Sequence, residues 1–187
     1  AGQVANFHLD TDQSPSQIMD YMNFYLPEDI AVISIEEVPE RFHSRLNAKG
    51  KTYLYRVINS PVPHIFDRKY AWTVEEKLDV DAMRKAAAFL EGTHDYKAFT
   101  SLKKSKKSTV RTVERILIEC VDDEIRFTFR GDGFLYHMVR IMMGTLIEVG
   151  LHKKKPEEIT GIFEKGLREN AGELVPAKGL TLLEVRY

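Results

Sequence analysis

The amino-acid sequence predicts an α+β fold in which antiparallel strands form sheets and helices cover one face. Three observations support this prediction. Strand-like runs rich in apolar and β-branched residues occur at residues 30–38 and 52–59. Apolar stripes with helical spacing occur at residues 80–90 and 134–150. A polar turn at residues 121–123 joins two further strand-like runs, which is typical of an antiparallel hairpin.

The first part of the chain is predicted to be rich in strands. The expected strands are residues 2–9, 30–38, 42–46 and 52–59. A short helix is predicted at residues 15–24, because Ser14 can cap it and Pro15 suits its first turn.

The second part alternates helices with strands. A helix is predicted at residues 80–90, where four apolar side chains share one face, and Gly92 ends it. The remaining predictions are strands at residues 109–120, 124–130 and 180–187 and a helix at residues 156–165. The polar join at residues 72–79 suggests a boundary, which divides the chain into halves of residues 1–75 and 76–187.

Composition excludes several classes of protein. Hydrophobic residues make up 43% and charged residues 29% of the chain, which is typical of a soluble globular protein. Cys120 is the single cysteine, so an intrachain disulfide is excluded and a thiolate zinc cluster is not indicated. No apolar run approaches the ~20 residues that cross a bilayer. These features predict a cytoplasmic protein that contains no metal.

Positive charge is concentrated in one run. The formal net charge is -1, so a nucleic-acid-binding protein with this balance must cluster its cations. Such runs are usually solvated faces, and the alternative is contact with phosphates, which dominate nucleic-acid affinity. The run and the two arginines that follow it are Lys103, Lys104, Lys106, Lys107, Arg111 and Arg115.

Residues 134–150 are predicted to form one apolar helix with a single cation, Arg140, in its middle. An arginine left buried and unpaired would cost several kcal/mol. Arg140 therefore reaches solvent, pairs with a structural carboxylate, or orients an active-site acid. Asp132 precedes the helix, but its Gly-Asp-Gly context is typical of a turn and a helix cap rather than of a nucleophile.

Several segments resemble tRNA pseudouridine synthases of the TruA type. FLYHMVR at residues 134–140, followed by GTL at residues 144–146, resembles the late motif of that family. The other matching segments, in the family's order, are GQVANF (2–7), Asn23 with LPEDI (26–30), RFHSR (41–45), KTYLY (51–55), TVR (109–111) and the ending from AKGL (177–180) to VRY (185–187). The resemblance implies the pseudouridine synthase fold, with two related α/β halves flanking an RNA cleft.

The resemblance also implies a catalytic segment that this sequence lacks. The family's nucleophilic aspartate lies in an Arg-Thr-Asp-Ala-Gly loop just before the Gly-Gln-Val strand, and here Ala1 directly precedes that strand. The sequence is therefore expected to be an inactive fragment whose nucleophile lies upstream of Ala1. The alternative is a non-catalytic RNA-binding module that lost the nucleophile.

The implied reaction detaches uracil from its ribose, rotates it and rejoins it through carbon, without a cofactor or metal. Arg140 matches the cation that pairs with the nucleophilic aspartate. Without that partner it is expected to face solvent, a bound anion or a substitute acid. Tyr53 matches the family's active-site tyrosine, on which an extruded base would stack. Core packing is the other interpretation of Tyr53, and it is the favoured one for Tyr55.

The expected partners are tRNA, bound through its anticodon stem-loop, and a second copy of the chain in a homodimer. By resemblance, Arg45 lies near the cleft and touches the phosphate backbone or the flipped nucleotide; otherwise it is a surface arginine. Five basic residues are predicted to contact tRNA: Lys103, Lys104, Lys106, Lys107 and Arg111. A third interpretation is a structural α+β domain without salt-dependent RNA affinity, in which Arg140 is merely paired.

Overall fold

The structure, a computed structural model, describes residues 2–102 and 108–187. They divide into two compact units. One unit is residues 4–47, and the other joins residues 2–3 to residues 48–187. The halves expected from the sequence, 1–75 and 76–187, and their arrangement around a cleft stay predictions.

The smaller unit contains the predicted first helix. Helix α1 spans Pro15–Tyr25. The Ser14 hydroxyl accepts from the Gln17 backbone N–H, and the Gln17 side chain accepts from the Ser14 backbone N–H at 2.9 Å. This reciprocal capping box satisfies backbone donors that a helix start otherwise leaves unpaired, so the helix and its Ser14 cap are confirmed.

The strands predicted in residues 4–47 are wrong. The described backbone contains no strand at 4–9, 30–38 or 42–46. A strand needs a neighbouring strand for its N–H and C=O groups. Here the Asn23 side chain takes both backbone groups of Val32, at 2.7 and 2.9 Å. Residues 42–47 fold into a turn, which the Asn47 N–H closes on the carbonyl of His43 at 2.9 Å.

The larger unit is built on one sheet. Within the described residues its six strands are β1 (Gly50–Asn59), β2 (Trp72–Val74), β3 (Gly92–Asp95), β4 (Val110–Val121), β5 (Glu124–Gly131) and β6 (Leu180–Arg186). The order is β2-β1-β5-β4-β3, and β6 pairs with β1 beside β2. The β1–β2 pairing is parallel and the others are antiparallel.

The central strands carry the aromatic core. Tyr53 pairs with Phe129 and Tyr55 with Phe127, so these four side chains project from the same face of the sheet. Tyr55 and both phenylalanines are fully buried there. The β4–β5 hairpin closes where Val121 pairs with Glu124, which confirms the predicted hairpin.

Helices α2 (Val80–Leu90), α3 (Met138–Gly150) and α4 (Glu158–Lys165) complete the core with a 3₁₀ helix at Tyr96–Phe99. Helix α2 contacts β4, α3 and α4. Its bounds equal the predicted ones, because its four buried apolar residues recur at helical spacing and Asp79 caps its start. The predicted α+β fold is confirmed.

Helix α3 begins later than its apolar pattern indicates. His137 has φ 64°, in the left-handed region, so the helix starts at Met138 and residues 134–137 lie outside it. Asp132 does not cap this helix, contrary to the prediction. Its carboxylate accepts from the backbone N–H of Thr112 at 3.0 Å and holds the end of β5 against β4.

A segment of residues 171–176, here called the strap, crosses α3. The Thr145 hydroxyl accepts from the N–H of Gly172 at 2.8 Å and donates to the carbonyl of Ile141 at 3.0 Å. A Cβ at Gly144 would overlap the carbonyl of Glu173, and a Cβ at Gly172 would overlap the backbone of Thr145. Glycine at both positions therefore allows the strap to lie directly on the helix.

No helix in residues 2–102 and 108–187 is long and apolar enough to cross a membrane. Those residues also contain no cluster of three or more His, Cys, Asp and Glu side chains arranged to hold a metal ion.

Candidate active site

Arg140 lies in the first turn of α3, half-buried beneath the strap. Its Nε donates to the carbonyl of Val175 at 2.7 Å. No carboxylate in the described parts of the chain comes within 4 Å of it, and no other hydrogen bond of its side chain involves those residues. The sequence led us to expect Arg140 to face solvent, an anion or a substitute acid, and that stays a prediction. A backbone carbonyl holds its Nε, and its two terminal nitrogens have no partner among the described residues.

Tyr55 supports the same strap from the sheet side. Its hydroxyl donates to the carbonyl of Pro176 at 2.6 Å, although the ring is fully buried. Burial raises the pKa of the Tyr55 phenol, and the positive charge of Arg140 opposes that rise. Tyr55 therefore stays protonated and acts as a hydrogen-bond donor. It lies close enough to Arg140 for that positive charge to affect its pKa.

Tyr53 lies two residues from Tyr55 on β1, about 7 Å away on the same face of the sheet. It is half-buried, and burial raises the pKa of its phenol. Its ring meets that of Phe134 edge to face, with centroids 5.3 Å apart and planes at 89°. Phe134 leads into α3, so the structure brings Tyr53 and Arg140 to the same region of one sheet face.

His137 is the third residue near Arg140. Partial burial and then the charge of Arg140 lower the pKa of its imidazole. Its Nδ1 lies 3.1 Å from the Ser101 hydroxyl. The ring is therefore neutral at pH 7 and is held in place beside the cation.

The remaining predicted site residues are placed as follows. Arg45 is exposed in the smaller unit, where its backbone N–H donates to Nδ1 of His43 at 3.1 Å. Arg111, the second residue of β4, is half-buried, and its Nη1 donates to the carbonyls of Ser108 and Val110 at 3.0 and 2.6 Å. Lys103, Lys104, Lys106 and Lys107 lie outside the described residues.

Sequence reasoning missed the strap and the role of the Tyr55 hydroxyl. The strap contributes backbone carbonyls, which no side-chain pattern identifies. Glycines mark the places where the strap region approaches closely: Gly144 and Gly172 at α3, and Gly179, where a Cβ would lie 2.8 Å from the Tyr55 ring. These glycines are the sequence feature from which a close approach of the backbone could have been predicted.

The arrangement suits an anionic reaction centre next to a flat base. A planar guanidinium that is fixed by one nitrogen can present its other two nitrogens to a carboxylate. The half-buried ring of Tyr53 on β1 can supply a surface for a heterocycle. A family model described as tRNA pseudouridine synthase matches residues 86–187, which include α3 and Arg140. The chain belongs to the tRNA pseudouridine synthase family.

Curated relatives agree with this membership in the tRNA pseudouridine synthase family. The chain is 47% identical over 186 residues to tRNA pseudouridine synthase A of Bacillus sp. strain KSM-64, covering 100% of the chain and 76% of the relative. It is 44% identical over 184 residues to tRNA pseudouridine synthase A 2 of Clostridium tetani, covering 98% and 74%. It is 43% identical over 186 residues to the synthase A of Acetivibrio thermocellus, covering 100% and 76%. By family, this pseudouridine synthase is an isomerase.

Proposed function

We propose that this protein isomerises uridine to pseudouridine in tRNA, and that its target lies in the anticodon stem-loop. The observation that carries the proposal is Arg140: its Nε is fixed on the strap carbonyl of Val175, and its terminal nitrogens lack partners among the described residues. This occurs in a chain that shares 43–47% identity with named tRNA pseudouridine synthases. The resemblance in the 134–140 motif supplies the role of the cation.

In the proposed reaction the bond between ribose C1′ and uracil N1 breaks, and a bond between C1′ and C5 forms. The C5 hydrogen leaves as a proton and N1 gains one, so no electrons enter or leave. The family's nucleophile is an aspartate, and Arg140 would bind this carboxylate through its terminal nitrogens. Pairing keeps the carboxylate ionised and fixes its direction.

Tyr53 would provide the surface for the extruded uracil. Its ring is half-buried at the end of the aromatic row of β1 and is braced by Phe134, so little rotational freedom is lost on binding. A base stacked on an aromatic side chain gains roughly 1–3 kcal/mol. Arg45, exposed in the smaller unit, would bind a phosphate or the flipped nucleotide.

The basic run would bind the tRNA backbone close to Arg140. The described residues that flank the run in sequence support this proposal, because they lie near the start of α3. On one side, Ser101 contacts His137 at the start of α3. On the other side, the Arg111 side chain lies 3.7 Å from the position that a Cβ of Gly133 would occupy. Gly133 directly precedes Phe134. We therefore propose phosphate contacts for Arg111 and for the four lysines at 103, 104, 106 and 107.

The second candidate function is a non-catalytic RNA-binding module. The observation that favours it is that no carboxylate of the described residues pairs with Arg140. By resemblance to the family, we further propose that the protein acts as a homodimer in the cytoplasm. Light scattering at micromolar concentration tests the dimer.

The deciding experiment is tritium release from tRNA labelled at C5 of uridine. It is run with the 187-residue chain, with the product of the complete reading frame, and with Arg140→Met in both. Release that depends on Arg140 supports the synthase. Salt-dependent tRNA binding without release from either protein supports the RNA-binding module, and absence of both contradicts the two candidates together.

A further inference from the structure

Tyr136 and His137 form a stacked aromatic pair immediately before α3. Their ring centroids are 3.7 Å apart and their planes differ by 26°. Tyr136 is 58% exposed, in contrast to Tyr55 and Tyr96, which are fully buried in the core. His137 covers one face of the Tyr136 ring, so the exposed part of the tyrosine is a flat aromatic surface that faces water.

Hydrogen bonds from residues 100 and 101 fix this pair. The carbonyl of Tyr136 accepts from the Thr100 hydroxyl at 3.0 Å and from the Ser101 N–H at 3.4 Å. The Ser101 hydroxyl meets Nδ1 of His137 at 3.1 Å. These bonds hold the backbone of Tyr136 and the ring of His137 in place before any ligand arrives, which lowers the entropic cost of binding.

The backbone of His137 is unusual for a residue with a side chain. Its φ of 64° lies in the left-handed region, where a residue other than glycine is strained by roughly 1–2 kcal/mol. Packing in the core does not explain the strain, because the Tyr136 ring, on which His137 stacks, is mostly exposed. Backbone strain clusters at functional sites, so this exposed aromatic pair is a candidate binding surface.

The position of the pair restricts its ligand. His137 precedes Arg140 by one helical turn, and the charge of Arg140 acts on the His137 ring. Ser101, which holds the pair, comes just before the basic run that begins at Lys103. The aromatic surface therefore lies beside the site cation, and the segment that holds it continues in sequence into the basic run, so an RNA strand bound at Arg140 in the proposed reaction would reach it.

We propose that Tyr136, backed by His137, is a stacking platform for an unpaired base of the RNA that neighbours the target uridine. This inference rests on the proposed function. The platform recognises a base by its π face, so it selects an unstacked loop rather than a sequence. A neutral histidine, consistent with its lowered pKa, adds a ring beneath the tyrosine without a charge of its own.

The test uses the product of the complete reading frame in four forms: wild type, Tyr136→Phe, Tyr136→Ala and a control, Tyr70→Ala. Tyr70 is also exposed, at 64%, and lies in the turn that precedes β2. The expected result for Tyr136→Ala is a rise of about 5- to 150-fold in Kd and KM for tRNA, with kcat changed less than about threefold. Tyr136→Phe keeps the ring and should stay within about twofold of wild type, as should Tyr70→Ala.

A second measurement reports stacking directly. A tRNA carrying 2-aminopurine beside the target uridine loses fluorescence when the probe stacks on an aromatic ring. Wild type and Tyr136→Phe should quench it, and Tyr136→Ala and Tyr136→Leu should not. If Tyr136→Ala unfolds, Tyr136→Leu preserves an apolar side chain and answers the same question.

The outcomes separate this inference from the function on which it rests. If wild type releases tritium and the Tyr136 variants quench and bind like wild type, the platform is overturned and the synthase stands. If wild type neither isomerises uridine in tRNA nor binds tRNA, the proposed function is contradicted, and the platform that rests on it is contradicted with it. Quenching that depends on Tyr136 in a protein without turnover supports the platform and moves the function to RNA binding.

Discussion

Arg140 and Tyr55 donate hydrogen bonds to the carbonyls of two consecutive residues. Arg140 Nε binds the carbonyl of Val175 at 2.7 Å, and the Tyr55 hydroxyl binds that of Pro176 at 2.6 Å. One donor comes from helix α3 and the other from the central strand β1. The strap therefore ties the helix to the sheet at the point where Arg140 presents its remaining nitrogens.

In the product of the complete reading frame, replacing Arg140 with lysine should remove activity while the protein stays folded. Lysine keeps the charge but cannot bind the Val175 carbonyl and a carboxylate in the fixed geometry of the guanidinium. We expect tritium release to fall by at least about 100-fold, since a misplaced catalytic group costs that much. The control is Arg84→Lys, an exposed arginine of α2 paired with Asp81. Equal activity of Arg140→Lys and wild type would contradict the assigned role.

Tyr55→Phe should lower the free energy of unfolding by about 1–3 kcal/mol. The substitution keeps the buried ring and leaves the carbonyl of Pro176 without its donor. Urea titration measures the change. The matched control is Tyr53→Phe, because the Tyr53 hydroxyl has no hydrogen-bond partner in the described part of the chain. The same loss in both variants would show that the strap contact contributes nothing specific.

Local patterns were sufficient for elements that carry their own signals. Helix α2 combines buried Met83 and Leu90 at helical spacing with an Asp79 cap, and both ends were predicted. The β4–β5 hairpin pairs through a short polar turn. These elements are set by residues close in sequence, so a sequence pattern can identify them.

The failures depend on distant partners or backbone geometry. Strands at residues 30–38 and 42–46 needed a neighbouring strand, and Val32 found the Asn23 side chain instead. The late start of α3 follows from one φ angle, at His137. The sequence motif predicts Arg140 and Tyr53 as site residues, and that stays a prediction. The hydrogen bond from Arg140 to the carbonyl of Val175 involves a backbone atom, which has no sequence signature.

Gly144→Ala should destabilise the protein strongly. The added methyl would overlap the Glu173 carbonyl, so the strap would have to lift from α3. We expect a loss of about 1–3 kcal/mol in the free energy of unfolding, together with reduced activity. Gly161→Ala in α4 is the control, because nothing lies within 4 Å of its Cβ position. This second variant should gain roughly 0.5–1 kcal/mol from helix propensity. Thermal and urea unfolding should therefore show a loss of stability for Gly144→Ala and a gain for Gly161→Ala.

Glu124 should make stability depend on acidic pH. The hydrogen bond from Arg56, followed by that from Arg126, lowers the pKa of the Glu124 carboxyl from 4.5 to about 2. Since the pKa is lower in the folded state, the stabilisation is complete above pH 4.5 and is lost as pH falls toward 2. It amounts to roughly 2–3 kcal/mol.

Urea unfolding at pH 7 and pH 3 measures this effect in wild type and in Glu124→Gln. The variant should be less stable than wild type at pH 7, and the difference between their free energies of unfolding should be smaller at pH 3. Asp81→Asn is the control, because its ion pair with Arg84 is exposed and contributes little. A gap that is constant between the two pH values would contradict the role of the charge.

Removing the basic run should weaken tRNA binding and flatten its salt dependence. Replacing the lysines at 103, 104, 106 and 107 with glutamine removes four cations, so the slope of log K against log salt should fall in magnitude by up to about 3. The free energy of unfolding of this variant should equal that of wild type. The control removes four charges from other exposed positions: Lys69, Lys77, Lys85 and Lys165. Since both variants have the same net charge, a loss confined to the first assigns phosphate contact to the run, and equal losses would reduce it to a general charge effect.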